Sequence, residues 1–396
     1  MKMLIVAQNF QVGGIQRSLI NMLEILSEES NIDIDLFVFG DGPLLKEVPK
    51  SINIIQGKRS LRLITTPMSV VNKSKKVLDI FIRISFMVKV RLRGSKTIYQ
   101  SLFKKEKRLK KYDIAISYFN DVPGNYFNQG TNQYVDEFVK AKKKVAWIHT
   151  DPVIANFDKN ECKLKYKNFD QIVCVSNACS NKFKEFLPEY ANKVETVYNV
   201  FPINKIKILG SEKLNQIKDN KISLVTVARI DNTTKRINII PEIVNKLVKN
   251  NIKNFKWTVV GDGPDLVSIT ERVKDLGIGN YVELVGNKSN PYPYIKSSSL
   301  FVLVSKFEGY PMVICESLIL GTPVLTTNFA AASEQISNGD NGIITSFDED
   351  SIFYELHRIL KDRNEIEKME RYISNNLYSN TVAKKQLKSI LEIKDE

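Results

Sequence analysis

The segment Glu308-Gly309-Tyr310-Pro311-Met312-Val313-Ile314-Cys315-Glu316 holds two carboxylates separated by seven residues. It follows the apolar run Leu300-Phe301-Val302-Leu303-Val304, which reads as a buried parallel strand. Gly309 frees the backbone for a tight turn, and Pro311 is pre-set for the first turn of a helix. The pattern predicts a strand, a short loop and a helix N-terminus whose open amides can hold an anion. If most of the step from Glu308 to Glu316 is helical it spans roughly 12 Å, the reach from a sugar across a diphosphate to a ribose. Two glutamates on a helix surface are common. What sets this pair apart is the Gly309-Tyr310-Pro311 between them and the Gly321-Thr322-Pro323-Val324 stop that follows.

A second constellation flanks another strand end, in Val227-Ala228-Arg229-Ile230-Asp231-Asn232-Thr233-Thr234-Lys235. Two fixed cations there can stabilise negative charge growing on a departing phosphate oxygen without a metal. A basic helix start with no ligand would be mildly unfavourable against the helix dipole. Gly261 and Gly263, in Val260-Gly261-Asp262-Gly263-Pro264, and the pair Gly13-Gly14 are strand-end glycines where backbone can approach a ligand closely. Such turns also occur without ligands. His149, one of two histidines, ends a strand in Trp147-Ile148-His149-Thr150-Asp151-Pro152. A lone histidine is more often a structural hydrogen-bonding residue; its place at a strand end makes it a candidate. His357 lies in a helical pattern and reads as structural.

The elements that must position these groups alternate. In the first half, strands are expected at 2–7, 33–39, 52–55, 113–117, 144–148, 171–175 and 194–198, with a helix over 15–26. In the second half, strands are expected at 222–228, 256–260, 281–285, 300–304 and 323–326, with a helix over 236–249. Strands alternating with helices imply parallel sheets covered on both faces. Ligands in such sheets bind beyond the carboxyl ends of strands, where every motif above lies. The expected architecture is therefore α/β, with two Rossmann-like domains facing a central cleft. Their expected bounds are 1–198 and 199–378, with a terminal helix at about 379–396 packing back on the first.

With these motifs in place, the chain resembles glycosyltransferase family 4, retaining enzymes of the GT-B fold, most firmly over about 222–344. The resemblance implies that Arg229 and Lys235 clamp the donor diphosphate, that Glu308 contacts the donor sugar and that Glu316 holds the ribose hydroxyls. It gives His149 a contact with the sugar, and it sets Gly13-Gly14-Ile15-Gln16-Arg17-Ser18-Leu19 beside the donor phosphate and the acceptor. The implied catalytic set is Glu308, His149, Arg229 and Lys235. The implied donor-binding set is Gly14, Gly261, Gly263, Gly309, Tyr310, Pro311, Met312 and Glu316, with Asp151 on the acceptor side. No metal and no cofactor is implied beyond the nucleotide-sugar substrate. The turn Asn232-Thr233-Thr234 departs from the more acidic or glycine-containing turn of relatives. Glu308 is not assigned as a covalent nucleophile, because this family can react on one face through a short-lived ion pair.

Composition narrows the setting. The 396 residues are 43% hydrophobic and 26% charged, globular values for two domains. Cys162, Cys174, Cys179 and Cys315 show no C-x2-C pairing and read as reduced thiols of a cytosolic protein. The N-terminal apolar run is too short for a signal peptide, and no stretch is long enough for a transmembrane helix. Net charge is +14, and between Lys73 and Lys111 fourteen basic residues face only Asp79 and Glu106. There Arg83, Lys89, Arg91 and Arg93 interrupt an apolar series, as on an amphipathic helix lying on an anionic membrane surface. A lipid-linked or other glycan acceptor, and a place at the inner face of the cell membrane, are the matching expectations. No nucleic-acid motif accompanies the basic run. Asp33-Ile34-Asp35 has a D-x-D spelling but sits in an alternating strand pattern. A non-catalytic GT-B-like partner subunit and a nucleotide-sugar epimerase are the alternatives.

Overall fold

The computed structural model describes residues 1–73, 76–121, 127, 129–214 and 221–393. Lys75 of the basic segment and positions 394–396 of the expected terminal helix lie outside them. The chain divides into two compact units, Met1–Phe201 with Thr381–Glu396, and Pro202–Asn380.

The first unit holds β1 (Lys2–Ala7), β2 (Asp33–Val38), β3 (Asn53–Gln56), β4 (Lys111–Ser117), β5 (Lys140–Ile148), β6 (Gln171–Cys174) and β7 (Val194–Thr196). They form one sheet in the order β3-β2-β1-β4-β5-β6-β7, and every pairing is parallel. Met3, Leu4, Ile5, Val6 and Ala7 are fully buried, as a strand covered on both faces requires. The order reverses between β1 and β4, so the switch point of the sheet lies there. Helix α1 (Gly14–Leu26) leaves β1 with Leu19, Ile20, Leu23 and Leu26 buried. The long crossover from β3 to β4 carries α2 (Val77–Arg93) and α3 (Ser95–Phe103). Gly94 breaks them apart at φ +74, a conformation that glycine adopts without steric penalty. Tyr99 and Phe103 fix α3 to the sheet side, with the Phe103 ring 5.3 Å from Phe39 and 4.9 Å from Tyr134.

The second unit repeats the plan with β8 (Ile222–Val227), β9 (Phe255–Val260), β10 (Val282–Gly286), β11 (Leu300–Leu303), β12 (Val324–Thr327) and β13 (Gly342–Thr345). Its order is β10-β9-β8-β11-β12-β13, again parallel, with the switch point between β8 and β11. The buried Trp257 indole donates to Thr226 Oγ1 at 3.0 Å, and Thr226 Oγ1 donates to the Val302 carbonyl at 2.7 Å. This relay ties β9, β8 and β11 together beside the switch point. Helices α4 (Ile239–Lys249) and α5 (Met312–Ile319) follow β8 and β11. The C-terminal α6 (Thr381–Leu391) belongs to the first unit: Gln386 accepts the Tyr198 amide at 3.1 Å, and Lys388 meets Glu29 at 3.2 Å.

Three local differences from the sequence pattern have physical causes. Strand β13 is not anticipated, because its four residues stand beside glycines and carry no alternation. Helix α4 starts at Ile239 rather than Arg236, whose φ of +54 is not helical. Helix α5 starts at Met312, and Pro311 serves as its N-cap with φ −65 and an extended ψ of 117.

Candidate active site

The C-terminal end of β8 runs into a loop carrying Arg229 and Lys235. The Gly261-Asp262-Gly263 turn after β9 presses against that loop. A Cβ at Gly261 would lie 1.9 Å from the Ala228 carbonyl oxygen, and one at Gly263 would lie 2.1 Å from that of Ile230. Gly261 also has φ +153. These glycines therefore serve a close approach of backbone to backbone, a requirement that stands without any ligand. The contact lets Ile230 N–H donate to Asp262 O at 3.0 Å and Asp265 N–H donate to Ile230 O at 3.3 Å. Inside the loop, Asp231 Oδ1 accepts the Thr233 hydroxyl at 2.6 Å and its amide at 2.8 Å. The Thr233 hydroxyl, more than nearby Arg229, holds the Asp231 carboxyl below its usual range. The Asn232-Thr233-Thr234 turn is thus ordered by an aspartate that precedes it.

The loop after β11 is stitched to this one. Lys306 N–H donates to the Thr234 carbonyl at 2.8 Å, and the Lys235 ammonium pairs with Glu308 Oε1. Ser305 Oγ donates to the same oxygen at 2.7 Å. Both donors converge on Oε1. The structure brings Lys235 and Glu308 together across 73 positions of sequence. Arg229 is exposed at the β8 end. Ser305, which the sequence reading missed, sits three residues before Glu308 at the end of the apolar run, and its place there was the available signal.

Gly309 and Tyr310 carry the loop into α5. Gln335, nearly buried, donates through Nε2 to the Pro311 carbonyl and to Cys315 Sγ, each at 3.0 Å. The start of α5 has no side-chain cap and no acidic residue in its first turn, so its amides suit an anion. Met312 is buried at this turn. Glu316, one turn further, is only 4% exposed and accepts from the Tyr292 hydroxyl at 3.2 Å. Tyr292 was also missed, and no local pattern in Pro291-Tyr292-Pro293 marks it. All four cysteines are buried thiols.

In the first unit, His149 follows β5. Its amide donates to Asn120 Oδ1 and its Nε2 meets the Tyr118 carbonyl, each at 2.7 Å. Burial pushes its imidazole down to about 4, against the smaller opposing effect of that carbonyl. His149 is therefore neutral near pH 7; with the proton on Nε2 facing the carbonyl, Nδ1 carries the lone pair. Asp151 Oδ1 accepts the Val153 amide at 2.8 Å and that of Ile154 at 3.3 Å, so this oxygen holds its own loop. At Gly14, which opens α1, an added Cβ would meet nothing within 4 Å. The chain's own packing does not call for glycine there.

Arg83 departs from its expected surface role. It is 5% exposed, its Nε donates to the Thr66 carbonyl at 3.2 Å and its guanidinium lies 3.7 Å from the Phe127 ring centroid. The apolar residues nearly encircle α2, so the sequence alone did not reveal which side is covered.

Two doubly wound parallel units define the GT-B fold. Residues 211–377 match the family model of glycosyl transferases group 1. The N-acetyl-alpha-D-glucosaminyl L-malate synthase of Bacillus anthracis is 25% identical over 209 residues, covering 51% of this chain and 54% of that protein. An N-acetylgalactosamine-N,N'-diacetylbacillosaminyl-diphospho-undecaprenol 4-alpha-N-acetylgalactosaminyltransferase of Campylobacter jejuni is 26% identical over 172 residues, covering 43% and 45%. The chain spans about half the length of the curated relatives it matches. Over its full length it shares its fold with Anabaena HepE, solved with UDP-glucose, at a TM-score of 0.68 and 15% identity, covering 99% of this chain and 100% of that one.

Proposed function

We propose that the protein is a retaining glycosyltransferase of the family 4 type, working without a metal. It moves a sugar from a nucleotide-sugar to a lipid-linked saccharide at the inner face of the cell membrane, in surface-polysaccharide assembly. The observation that carries this reading is the pairing of Lys235 with Glu308 at the switch point between β8 and β11, with Arg229 on the adjoining strand end. Arg229 and Lys235 receive the negative charge of the leaving diphosphate, and the uncapped start of α5 adds its amides. Glu308 Oε2 orients the sugar, and Glu316 takes the ribose hydroxyls. His149 offers a neutral acceptor to the sugar at Nδ1. The open space at Gly14 suits close passage of donor phosphate or acceptor.

In the reaction, the bond from the anomeric carbon to the diphosphate oxygen breaks, and its electron pair leaves with that oxygen. The acceptor hydroxyl bonds to the carbon on the same face and passes its proton to the departing diphosphate. The Campylobacter relative, named for a diphospho-undecaprenol acceptor, supports the choice of acceptor class.

The test is transfer of radiolabelled sugar from a panel of nucleotide-sugars to polyprenyl-diphosphate saccharides. Label entering the organic phase is the expected result. Label that stays in water as an epimerised nucleotide-sugar would replace this reading with an epimerase.

A further inference from the structure

Helix α2 turns a continuous apolar stripe toward solvent. Val77, Leu78, Phe81, Ile84, Val88 and Leu92 are all exposed, Phe81 at 67% and Leu92 at 78%. At about 100° per residue they fall on one side of the helix, opposite the buried Arg83 and Val90. Single exposed apolar residues are ordinary, but six aligned on one helix face form a patch that marks an interaction surface. The same angular count sets Arg91 along one edge of the stripe and Lys89 and Arg93 along the other; all three are exposed. The two carboxylates of this region are engaged elsewhere. Asp79 pairs with Arg59 at 2.6 Å, and Glu106 accepts the Lys58 amide at 3.1 Å.

We propose that α2 is an interfacial helix whose apolar stripe lies in the acyl boundary of an anionic bilayer, with Lys89, Arg91 and Arg93 holding lipid phosphates. The charge pattern selects lipid over a second copy of the chain. Packing two copies stripe to stripe would bring their basic edges together, whereas anionic headgroups neutralise those edges. The inference deepens the membrane-side reading above by assigning the docking element, and its test uses neither nucleotide nor sugar.

Cosedimentation of the full chain with phosphatidylglycerol-containing vesicles, against pure phosphatidylcholine, reads the effect. Binding is expected only with the anionic lipid, weakening as salt is added. The triple variant Lys89→Gln, Arg91→Gln, Arg93→Gln should lower partition by about a hundredfold or more. Phe81→Ser with Leu92→Ser should lower it at least about tenfold while leaving the thermal melt in place, because both side chains are exposed. Phe81→Trp supplies a direct probe, whose emission should shift to the blue when anionic vesicles are added. Partition that ignores both sets of substitutions, or an unshifted Trp emission, overturns the proposal. A dimer in sedimentation velocity that the stripe variants dissociate, with no vesicle binding, assigns the face to a second copy instead.

Discussion

Charge placement decides the candidate site residue by residue. Glu316 is buried with the Tyr292 hydroxyl on one oxygen, whereas Glu308 shares its Oε1 between Lys235 and Ser305. The two carboxylates should therefore fail differently. Glu316→Ala and Arg229→Ala should each weaken binding of the nucleoside diphosphate by about 2–5 kcal/mol, read by calorimetry. Glu308→Gln should keep most of that affinity and lose turnover, since its proposed partner is the sugar. Unchanged diphosphate affinity in both of the first variants would remove the proposed clamp. His149 makes a separate prediction about pH. Its folded pKa of about 4 lies below the unfolded value of about 6.5, so its contribution to stability is complete above pH 6.5 and lost as pH falls toward 4. The loss is about 3 kcal/mol over that window. His149→Gln should flatten that part of the denaturation free energy plotted against pH; an unchanged slope would show that the imidazole is not held neutral. The types and spacing of Glu308, Glu316, Arg229 and Lys235 were legible in sequence. Ser305 was overlooked although it stands three residues before Glu308 at the end of the apolar run, and Tyr292 was not legible, because a hydroxyl that steadies a carboxylate from another helix leaves no local pattern.

Among the elements, strand-end turns do most of the positioning. The Gly261-Asp262-Gly263 turn fixes the Arg229 loop by backbone contact, and the Lys306 amide ties the Glu308 loop to it. Gly263→Ala should lower stability by roughly 1–3 kcal/mol, because its Cβ would overlap the Ile230 carbonyl. It should also weaken diphosphate binding, since the displaced backbone adjoins Arg229. A melt and a binding isotherm that both match wild type would show that the loop does not depend on this approach. The strand and helix pattern was readable where apolar runs were long, as in β1 and β11. It failed at β13, which is short and beside glycines, and at the start of α5, where Pro311 is a cap with extended ψ. It also failed for the face of α2. Arg83 sits on the covered side because its guanidinium stacks on Phe127, a contact invisible to helical periodicity.

For the whole molecule, the same strand permutation occurs in both units, and the motifs gather at the carboxyl ends of their strands. That much followed from alternating strands and helices, because parallel crossover connections permit few arrangements. The excess of basic charge, by contrast, is concentrated in the crossover between β3 and β4. With Arg229, Lys235 and the start of α5 proposed to neutralise the leaving group, activity should survive EDTA. Complete loss on chelation, restored by manganese or magnesium, would contradict the proposed chemistry. Among the described residues no helix is long and apolar enough to cross a membrane. Retaining cleavage of a nucleotide-sugar can be followed by time-resolved proton NMR of a nucleotide-sugar panel with the protein and EDTA. Slow acceptor-independent hydrolysis of one donor is expected, with the freed sugar first appearing in the donor's own anomeric configuration and Glu308→Gln abolishing the signal. Release of the opposite anomer first, or no cleavage of any donor, would contradict it.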